Sequence, residues 1–532
     1  MNNLLSDRFI RVRLAGRGIE QLSLPEVYEV LAADQVEAFI GLRPHQRHAW
    51  HAFLAQLAVI ALRNCVRHGY PVEFNAEEWH DALRGLTVEK YDDDEPWKLV
   101  VDDPTRPAFM QTPSVNGFKE YKKHVFAPDD LDILVTAKNH ELKQSMAIRH
   151  SLDDWVYALV SLQTMAPFSG RGNYGIARMK GGYSSRPCLG LRPNKGGLGA
   201  HLFHDIDYML TNRSQVLQDY SEYYRREGGL SLLWTEPWDG SSSVTLDELD
   251  PYFIEICRRV RLFCGSTSIV ARRANSTKPR IAAKHANGNL GDHWTPVDMK
   301  RGWSLSLSKT RLQYEKLTEL LIGNVFYLPN AMRVKTASEG SWKLVIRGLA
   351  GGQGKTEGYH ERTDLAFSDK TATAFAFHSP KDELGVLVKK QLDEISGIAN
   401  ALKRGIAVAA SGKRELEKQD WQRASPYLAR FHKEVDLFFF RFLDRRFVAD
   451  TDVDKEEIRA EFGTQLVRIA REIFRLAIRT VPCSISVRHR AQALAEMIFN
   501  AQLRKSAFSD CPEVFRYQKP ETAQVPDTHE KT

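Results

Sequence analysis

Residues 163–182 read QTMAPFSGRGNYGIARMKGG, and the rest of the chain is arranged around this glycine-rich, basic stretch. Its five glycines are interleaved with three cations: Gly170, Gly172, Gly175, Gly181 and Gly182, with Arg171, Arg178 and Lys180. Glycine permits positive φ and lets a backbone approach a ligand closely, because no Cβ intervenes. Exposed N–H groups beside cations favour a polyanion. On composition alone, a surface hairpin with ordinary turn glycines is an equally good interpretation.

Composition restricts the class of protein. The chain has 532 residues, of which 43% are hydrophobic and 27% charged, as is typical of a folded protein with two or three domains. Its net charge of +7 permits nucleic-acid binding without requiring it. The sequence contains neither a run of eighteen apolar residues nor a signal-peptide pattern, so we expect no membrane span and no secretion. The six scattered cysteines predict reduced thiols in a cytoplasmic protein.

The first two thirds of the chain mix short strand and helix patterns. Residues 9–14 and 19–24 flank an AGRG turn and predict a β-hairpin, after which Pro25 begins a helix. Residues 245–263 predict a buried helix. The long connection over residues 102–150 carries a basic patch, and connections of that length are usually functional or mobile. The patch consists of Lys119, Lys122 and Lys123.

Two histidine patterns are candidates for a metal site. One helix carries His45, His48 and His51 on a broad face, but no fourth ligand lies nearby in the sequence, so polar helix residues are the preferred interpretation. His-Asp dyads also occur in a class of metal-dependent phosphohydrolases, whose chemistry needs a further His and Asp. The two dyads here, His80-Asp81 and His204-Asp205, lie in contexts that resemble neither each other nor that class. We therefore expect no metal, no cofactor and no catalytic residue.

The stretch GLAGGQGKTEGYHER contains a GKT triplet that resembles the end of a phosphate-binding loop. Such a loop requires glycine five residues before Gly354, where Leu349 stands, and a helix directly after its lysine. The residues that follow are not an apolar helical start. The sequence therefore predicts a glycine-flexed hairpin tip that presents Gln353, Lys355 and Thr356.

The pattern changes to long helices after residue 381. Apolar residues keep helical spacing in four segments, near residues 388–402, 421–447, 458–476 and 485–503. An arginine stripe on the third segment (Arg468, Arg471, Arg475 and Arg479) is more typical of a solvated face than of a nucleic-acid track. The predicted fold class is α+β, with a large mixed domain over 1–380 and a four-helix bundle over 381–532 that ends in a frayed tail.

Taken in order, several motifs resemble one family, the large subunit (CasA) of the type I-E CRISPR surveillance complex Cascade. They are the N-terminal hairpin, PAFMQTP, APFSGRGNYGIARMKGG, LDPYFIEICRRVRL, GGQGKTEGYHER and the closing helices, and they span nearly the whole chain. The resemblance implies a non-catalytic subunit that binds guide crRNA, other Cascade subunits and double-stranded target DNA. It also implies recognition of the protospacer-adjacent motif (PAM), help in opening the duplex, and recruitment of a helicase-nuclease. The alternative is a metal-dependent nuclease or a P-loop-like NTPase.

The resemblance also implies site residues, which are carried over by position. The glycine loop that contacts DNA corresponds to Gly170, Arg171, Gly172 and Asn173. The basic finger corresponds to Lys278, Arg280 and Lys284, with its register open within 278–284, and the wedge corresponds to Gln353, Lys355 and Thr356. The contact to the guide-RNA handle corresponds to Lys138, Asn139 and His140. Two features depart from the family pattern, since Arg171 makes the loop bulkier than an all-glycine version and the wedge has one amide beside a lysine. From the residues alone, the cations of the basic finger are equally well interpreted as solvated charges.

Overall fold

The computed structural model describes residues 2–63, 74–131, 150–182, 185–265, 268–307, 312–334, 341–352, 355–377 and 383–515, without the side chains of 352, 355–357, 376 and 377. The chain divides into two compact units. The first comprises Met1–Leu312 with Lys316–His378. The second comprises Gln313–Glu315 with Ser379–Thr532.

The helices of the first unit are short or of medium length. In the described residues they are α1 (Leu24–Ala32), α2 (Arg47–Leu62), α3 (Ala76–Arg84), α4 (Pro128–Leu131), α5 (Leu152–Met165), α6 (Leu198–Asp219), α7 (Tyr314–Leu321, which begins in the second unit) and α8 (Asp369–Phe377). A capping box begins α1, since the Glu26 carboxylate accepts a 2.8 Å hydrogen bond from the Ser23 N–H while the Ser23 hydroxyl accepts from the Glu26 N–H. Pro25 fits this first turn because it lacks the N–H that would have no helical partner there.

The strands of the first unit form several small sheets. The described strands are β1 (Ile10–Leu14), β2 (Gly18–Leu22), β3 (Val36–Phe39), β4 (Lys123–Val125), β5 (Cys188–Pro193), β6 (Leu230–Leu232), β7 (Leu249–Ile254), β8 (Arg259–Cys264), β9 (Ile269–Ala274), β10 (Val297–Asp298), β11 (Phe326–Tyr327), β12 (Ser341–Gly352), β13 (Lys355–Arg362) and β14 (Ala366–Ser368). Their orders are β2-β1-β3, β4-β9-β8 and β13-β12-β14, with β5 paired to β12, plus the pairs β6-β7 and β10-β11. The predicted N-terminal hairpin is present as β1 and β2.

The core of the first unit surrounds α2. Fourteen of its sixteen residues are buried, which is the pattern of a helix covered on all sides. Trp50 is 1% exposed and meets Tyr157 of α5 edge-on, with 5.1 Å between the ring centroids. Such aromatic contacts add about 1 kcal/mol to the free energy gained from burial. α2 therefore fixes α5, and with it the start of the glycine-rich stretch.

The helix predicted over residues 245–263 is wrong. The structure has strands β7 and β8 there, and all six residues of β7 are buried. A strand covered on both faces shows a continuous apolar run, which periodicity alone does not distinguish from a buried helix. Pro251 lies within β7, where it is compatible with an edge strand but would interrupt a helix.

The second unit is helical throughout its described residues. Its helices are α9 (Glu383–Ser411), α10 (Lys418–Asp436), α11 (Phe439–Val448), α12 (Asp452–Thr480) and α13 (Arg488–Arg504). The single helix predicted over 421–447 is therefore divided into α10 and α11. Phe438, Phe439 and Phe440 are all buried, and three consecutive side chains cannot share one helix face because each is rotated by about 100° from the last. The break at Phe438 lets all three rings enter the core.

An ion-paired cluster lies inside the second unit. The Glu394 carboxylate, 2% exposed, accepts from Arg446 at 3.0 Å and from Arg459 at 2.7 Å. Arg459 also pairs with Asp510 at 2.8 Å, which ties the end of the described chain to α12. Four long helices with one short helix between them agree with the predicted bundle. The mixed α+β fold with closing helices is thus confirmed.

Candidate nucleic-acid interface

The glycine loop, defined here as residues 169–173, is a tight turn closed by its own backbone. The Ser169 N–H donates to the Asn173 carbonyl at 2.9 Å, and the Asn173 N–H donates to the Gly170 carbonyl at 3.0 Å. Gly170 and Gly172 have φ angles of +93° and +86°. Residues with a Cβ rarely adopt this left-handed conformation, so the turn needs glycine at both positions.

One side of the glycine loop is packed and the other is open. A Cβ built on Gly172 would lie 2.9 Å from the Asn275 side chain, whereas nothing lies within 4 Å of the corresponding position on Gly170. Arg171, between them, is exposed. The loop therefore presents one glycine and one arginine to solvent from a fixed base.

The loop is docked against the residues that lead into the predicted basic finger (278–284), and we call residues 275–284 together the basic segment. The Ser276 N–H donates to the Gly172 carbonyl at 3.1 Å, and the Tyr174 hydroxyl donates to the Thr277 carbonyl at 2.8 Å. Two stretches that lie a hundred residues apart in the sequence are therefore neighbours, and the exposed Arg171 and Lys278 belong to this composite surface.

The three cations of the basic segment differ in placement. Lys278 and Lys284 are exposed, but Arg280 is 4% exposed. The guanidinium of Arg280 donates to the carbonyls of Pro237 and Glu236 at 3.2 and 3.3 Å and lies 5.6 Å from the Trp238 ring. Burial lowers the pKa of Arg280 to about 10, which leaves it charged at neutral pH. Arg280 supports the segment from inside and does not present its charge to solvent.

Arg178, in the glycine-rich stretch, is also buried. Its guanidinium lies 3.8 Å from the Phe253 ring and 3.4 Å from the Glu255 carboxylate, and the residue is 2% exposed. Although the sequence places Arg178 among cations that favour a polyanion, its side chain instead anchors the stretch to β7. The guanidinium also donates to the Phe253 carbonyl at 3.0 Å.

Lys180, by contrast, is exposed and lies beside an aromatic residue that sequence analysis missed. Its ammonium is 4.8 Å from the Trp303 ring, and the Arg301 guanidinium is 5.4 Å from the same ring. These residues line a cavity of about 260 Å³. Trp303 is 36% exposed, and a partly exposed indole between two cations suits stacking against a base. The sequence signal was weak, because Trp303 lies 123 positions after Lys180 and is recognised only through their contact.

The predicted hairpin tip is formed by β12 and β13. Gly352 pairs with Lys355 and Gly351 with Thr356, so only residues 353 and 354 connect the two strands. Gln353 lies outside the described residues, as do the side chains of Lys355 and Thr356. In a phosphate-binding loop the lysine begins a helix, whereas here Lys355 begins a strand. The backbone therefore lacks the strand–loop–helix geometry that the NTPase alternative requires.

The remaining predicted residues divide into two groups. Lys138, Asn139 and His140 lie outside the described residues. Of the dyads, His80-Asp81 is on the surface of α3, with side chains 37% and 78% exposed, and His204-Asp205 is on α6. Among described residues, the one group of His, Cys, Asp and Glu close enough to share an ion includes Asp205 but not His80 or Asp81. The two dyads therefore do not converge on a common dinuclear centre.

The chain matches one protein family over almost its full length. The family model for CRISPR-associated protein Cse1 matches residues 3–473. The chain belongs to the CRISPR-associated protein Cse1 family. This membership confirms the family that the order of sequence motifs resembles. No curated protein sequence matches the chain.

Solved structures of this family share the fold. Thermobifida fusca Cse1 is 15% identical and matches with a TM-score of 0.66, over 95% of this chain and 98% of that one. Thermus thermophilus CasA (Cse1) is 15% identical with a TM-score of 0.61, over 94% and 99% of the two chains. A chain of a CRISPR RNA-guided surveillance complex is 13% identical with a TM-score of 0.51, over 94% and 99%. At these identities the likeness shows the fold alone.

The glycine loop and the basic segment present a polar, basic surface. The exposed residues of the glycine loop and basic segment include three cations, Arg171, Lys278 and Lys284, together with Ser169, Asn275 and Thr277. Cations and small polar side chains of this kind can bind phosphates and groove edges. No helix in the described part of the chain is both long enough and apolar enough to cross a membrane.

Proposed function

We propose that this Cse1-family chain is the non-catalytic large subunit of a type I-E Cascade complex, which uses a guide crRNA to survey DNA. It recognises the PAM in duplex DNA through the glycine loop and the basic segment. It then helps to separate the strands at the β12–β13 hairpin and recruits a helicase-nuclease after target binding. Sequence recognition of the target belongs to the guide, and the chain itself performs no covalent chemistry.

The observation that carries this proposal is the docking of the glycine loop on the basic segment. The bond from the Ser276 N–H to the Gly172 carbonyl joins the glycine loop to the segment that leads into the predicted basic finger, two residues before Lys278, although the two are far apart in sequence. A slim backbone next to flanking cations suits a groove bordered by phosphates.

The dimensions and charges of this surface favour the minor groove. That groove is about 6 Å wide in B-form DNA, so it admits a backbone and slim side chains more readily than a helix. Gly170 has open space around it, which allows close approach. Minor-groove readout is degenerate, since it distinguishes mainly A·T from G·C pairs. We therefore expect the chain to accept several motifs.

Separating the DNA strands costs free energy. Inserting a wedge between base steps costs a few kcal/mol of unstacking, which is recovered when the guide pairs with the freed strand. Only two residues connect β12 and β13, and such insertion needs a short connection of this kind. The RNA–DNA duplex that forms is about as stable as the DNA duplex that it replaces, so a small favourable contribution from the wedge is enough to promote opening.

The test uses the chain reconstituted with guide crRNA and the remaining Cascade subunits, and duplexes randomised at the motif positions. The complex should enrich a subset of motifs, and a complex without this chain should enrich none. Lys278→Ala with Lys284→Ala should weaken binding to all duplexes and reduce the slope of log affinity against log salt by about two units. Lys413→Ala with Lys418→Ala, two exposed lysines of the second unit, is the matched control. Equal enrichment with and without the chain would refute motif recognition.

A further inference from the structure

A buried aspartate in the first unit is surrounded by histidines. Asp205 on α6 is completely buried, and its Oδ2 lies 2.8 Å from the Nε2 of His51 on α2 and 3.8 Å from the Nε2 of His201, one helical turn away. Its Oδ1 lies 3.5 Å from both the Nε2 of His293 and the Nδ1 of His204. Four imidazoles thus face one carboxylate.

Several polar atoms in this cluster have no hydrogen-bond partner. Asp205 Oδ1, His293 Nε2 and both ring nitrogens of His204 are buried and unpaired. The 3.5 Å distances to Oδ1 are therefore close approaches without hydrogen-bond geometry. An unpaired buried polar group costs about 1–3 kcal/mol. Native interiors pair nearly all such groups. Of these unpaired atoms, only Asp205 Oδ1 belongs to the three residues close enough to share an ion.

We propose that His51, His201 and Asp205 bind one divalent first-row transition-metal ion, with Zn²⁺ as the natural occupant. Their ligand atoms all lie within 4.8 Å of one another. In a tetrahedral zinc site with bonds of about 2.1 Å, ligand atoms are about 3.4 Å apart, and the distances of 2.8 and 3.8 Å to Asp205 Oδ2 lie on either side of that value. Two imidazoles and one carboxylate form a donor set that suits Zn²⁺ and related ions.

The surroundings provide the other parts of a metal site. The Trp294 indole N–H donates to Asp205 Oδ2 at 2.8 Å, which orients the carboxylate as outer-shell partners of metal ligands do. A cavity of about 260 Å³ reaches His51 and His201 and is also lined by Glu37 and Arg347. It offers an entry path and room for a water as the fourth ligand.

The sequence could not indicate this site, because its ligands come from two helices. His51 belongs to the α2 face for which no fourth ligand is near in sequence, and Asp205 belongs to a dyad whose context does not resemble that of the metal-dependent phosphohydrolases. His201 and Asp205 are four residues apart and so lie on one face of α6. Packing of α6 on α2 brings the two patterns together. The proposed ion is a clamp between these helices.

The test measures zinc in the full chain, purified without an affinity tag and dialysed against metal-free buffer. Titration with Zn²⁺ should show one tight site per chain. His201→Ala should weaken Zn²⁺ binding by roughly 100-fold or more, and so should Asp205→Asn. The matched control is His80→Ala with Asp81→Asn, the exposed dyad on α3, which should leave zinc affinity unchanged. Zinc should also raise the melting temperature of the unaltered chain and of the control, but not of His201→Ala.

Absence of a tight site in the unaltered chain would overturn the proposal. So would equal affinity in the cluster variants and the control, because zinc would then be bound elsewhere. If Asp205→Asn does not fold, the decision falls to X-ray absorption at the zinc edge of the unaltered chain. Nitrogen and oxygen neighbours with imidazole scattering support the proposal, and sulfur neighbours refute it.

Discussion

Gly170 and Gly172 lie two residues apart in the glycine loop, but the structure gives them different roles. Both have positive φ, so a side chain strains either position. Only Gly172 faces a neighbour, since its Cβ would lie 2.9 Å from Asn275. Gly170 is open and lies where DNA would approach under the proposed function. Substitutions at the two positions therefore distinguish direct contact with DNA, at Gly170, from packing that holds the loop in place, at Gly172.

We predict that Gly170→Asp and Gly172→Asp both abolish motif-dependent duplex binding, for different reasons. In Gly170→Asp a negative side chain blocks entry to the groove, while the loop stays docked. In Gly172→Asp the side chain displaces Asn275 and breaks the bond from the Ser276 N–H to the Gly172 carbonyl. Hydrogen exchange of the Ser276 amide should speed up only in the second variant. Unchanged affinity of both variants for motif-bearing duplex would remove the loop from the interface.

His48 contributes to the pH dependence of the free energy of unfolding. It is 1% exposed, neither ring nitrogen has a hydrogen-bond partner, and burial lowers its pKa to about 3. The unfolded chain would protonate this ring near pH 6.5. Between about pH 3 and 6.5 the unfolded state therefore binds one more proton, and the free energy of unfolding falls as pH falls, by about 1.4 kcal/mol per pH unit.

His48→Leu should remove that contribution. We expect the slope of unfolding free energy against pH, measured by urea denaturation between pH 4.5 and 6.5, to decrease by about one proton. Above pH 6.5 the substitution should have no effect on the slope, because the ring is neutral in both states there. An unchanged slope below pH 6.5 would show that His48 is not protonated on unfolding.

Among the elements, the β12–β13 hairpin has two interpretations, a wedge that separates DNA strands and a phosphate-binding loop, and its variants distinguish them. We predict that Gln353→Ala with Lys355→Ala impairs R-loop formation on fully paired DNA but not on a target already unpaired beside the motif. The unstacking cost has been removed beforehand in the second target. The assay compares both targets with the same reconstituted complex.

Two outcomes would contradict this prediction. An equal defect on paired and unpaired targets would show that the tip acts in assembly or general binding. Nucleotide binding by the unaltered chain that is lost in Lys355→Ala would restore the NTPase alternative, although Lys355 begins a strand and not a helix.

The elements that the sequence predicts well are those with strong local signals. The N-terminal hairpin has a glycine turn between two apolar segments, and Pro25 after Ser23 marks the start of α1. The long helices near the end have sustained apolar spacing. Local signals failed where tertiary packing decides: β7 is buried on both faces and resembles a helix, and the break before α11 depends on three adjacent phenylalanines entering one core.

The candidate site follows the same division. The glycines of the loop could be recognised from the sequence as candidates for positive φ, because other residues adopt that conformation only with backbone strain. Which cations face solvent was not, since Arg178 and Arg280 look like Lys180 and Lys278 until their neighbours are known. Trp303 and the histidines around Asp205 become visible only when distant segments meet. The sequence therefore indicates where a glycine conformation is required. Which side chains are buried, and which distant residues come into contact, can be read only from the folded structure.

For the whole molecule, the division into two units does not follow the order of the chain. Gln313–Glu315 group with the helices after residue 379, although the residues on both sides belong to the first unit. Tyr314 accounts for this grouping. It is 1% exposed, its ring stacks on Phe439 with 4.7 Å between centroids, and its backbone N–H donates to Asp436 at 2.7 Å.

We predict that Tyr314→Ala destabilises the second unit by about 3 kcal/mol, because it leaves a cavity beside Phe439. Tyr314→Phe should cost about 1 kcal/mol, since it keeps the ring and removes only the hydroxyl that lies 2.7 Å from His432 Nδ1. The measurement is hydrogen exchange of the α10 and α11 amides in the full chain under native conditions, which reports opening of that unit without requiring two-state unfolding. Protection in these helices should fall by about 100-fold in Tyr314→Ala and by less than about 10-fold in Tyr314→Phe. Equal protection in both variants would show that the ring does not hold this segment to the helices, and that the backbone bond to Asp436 suffices.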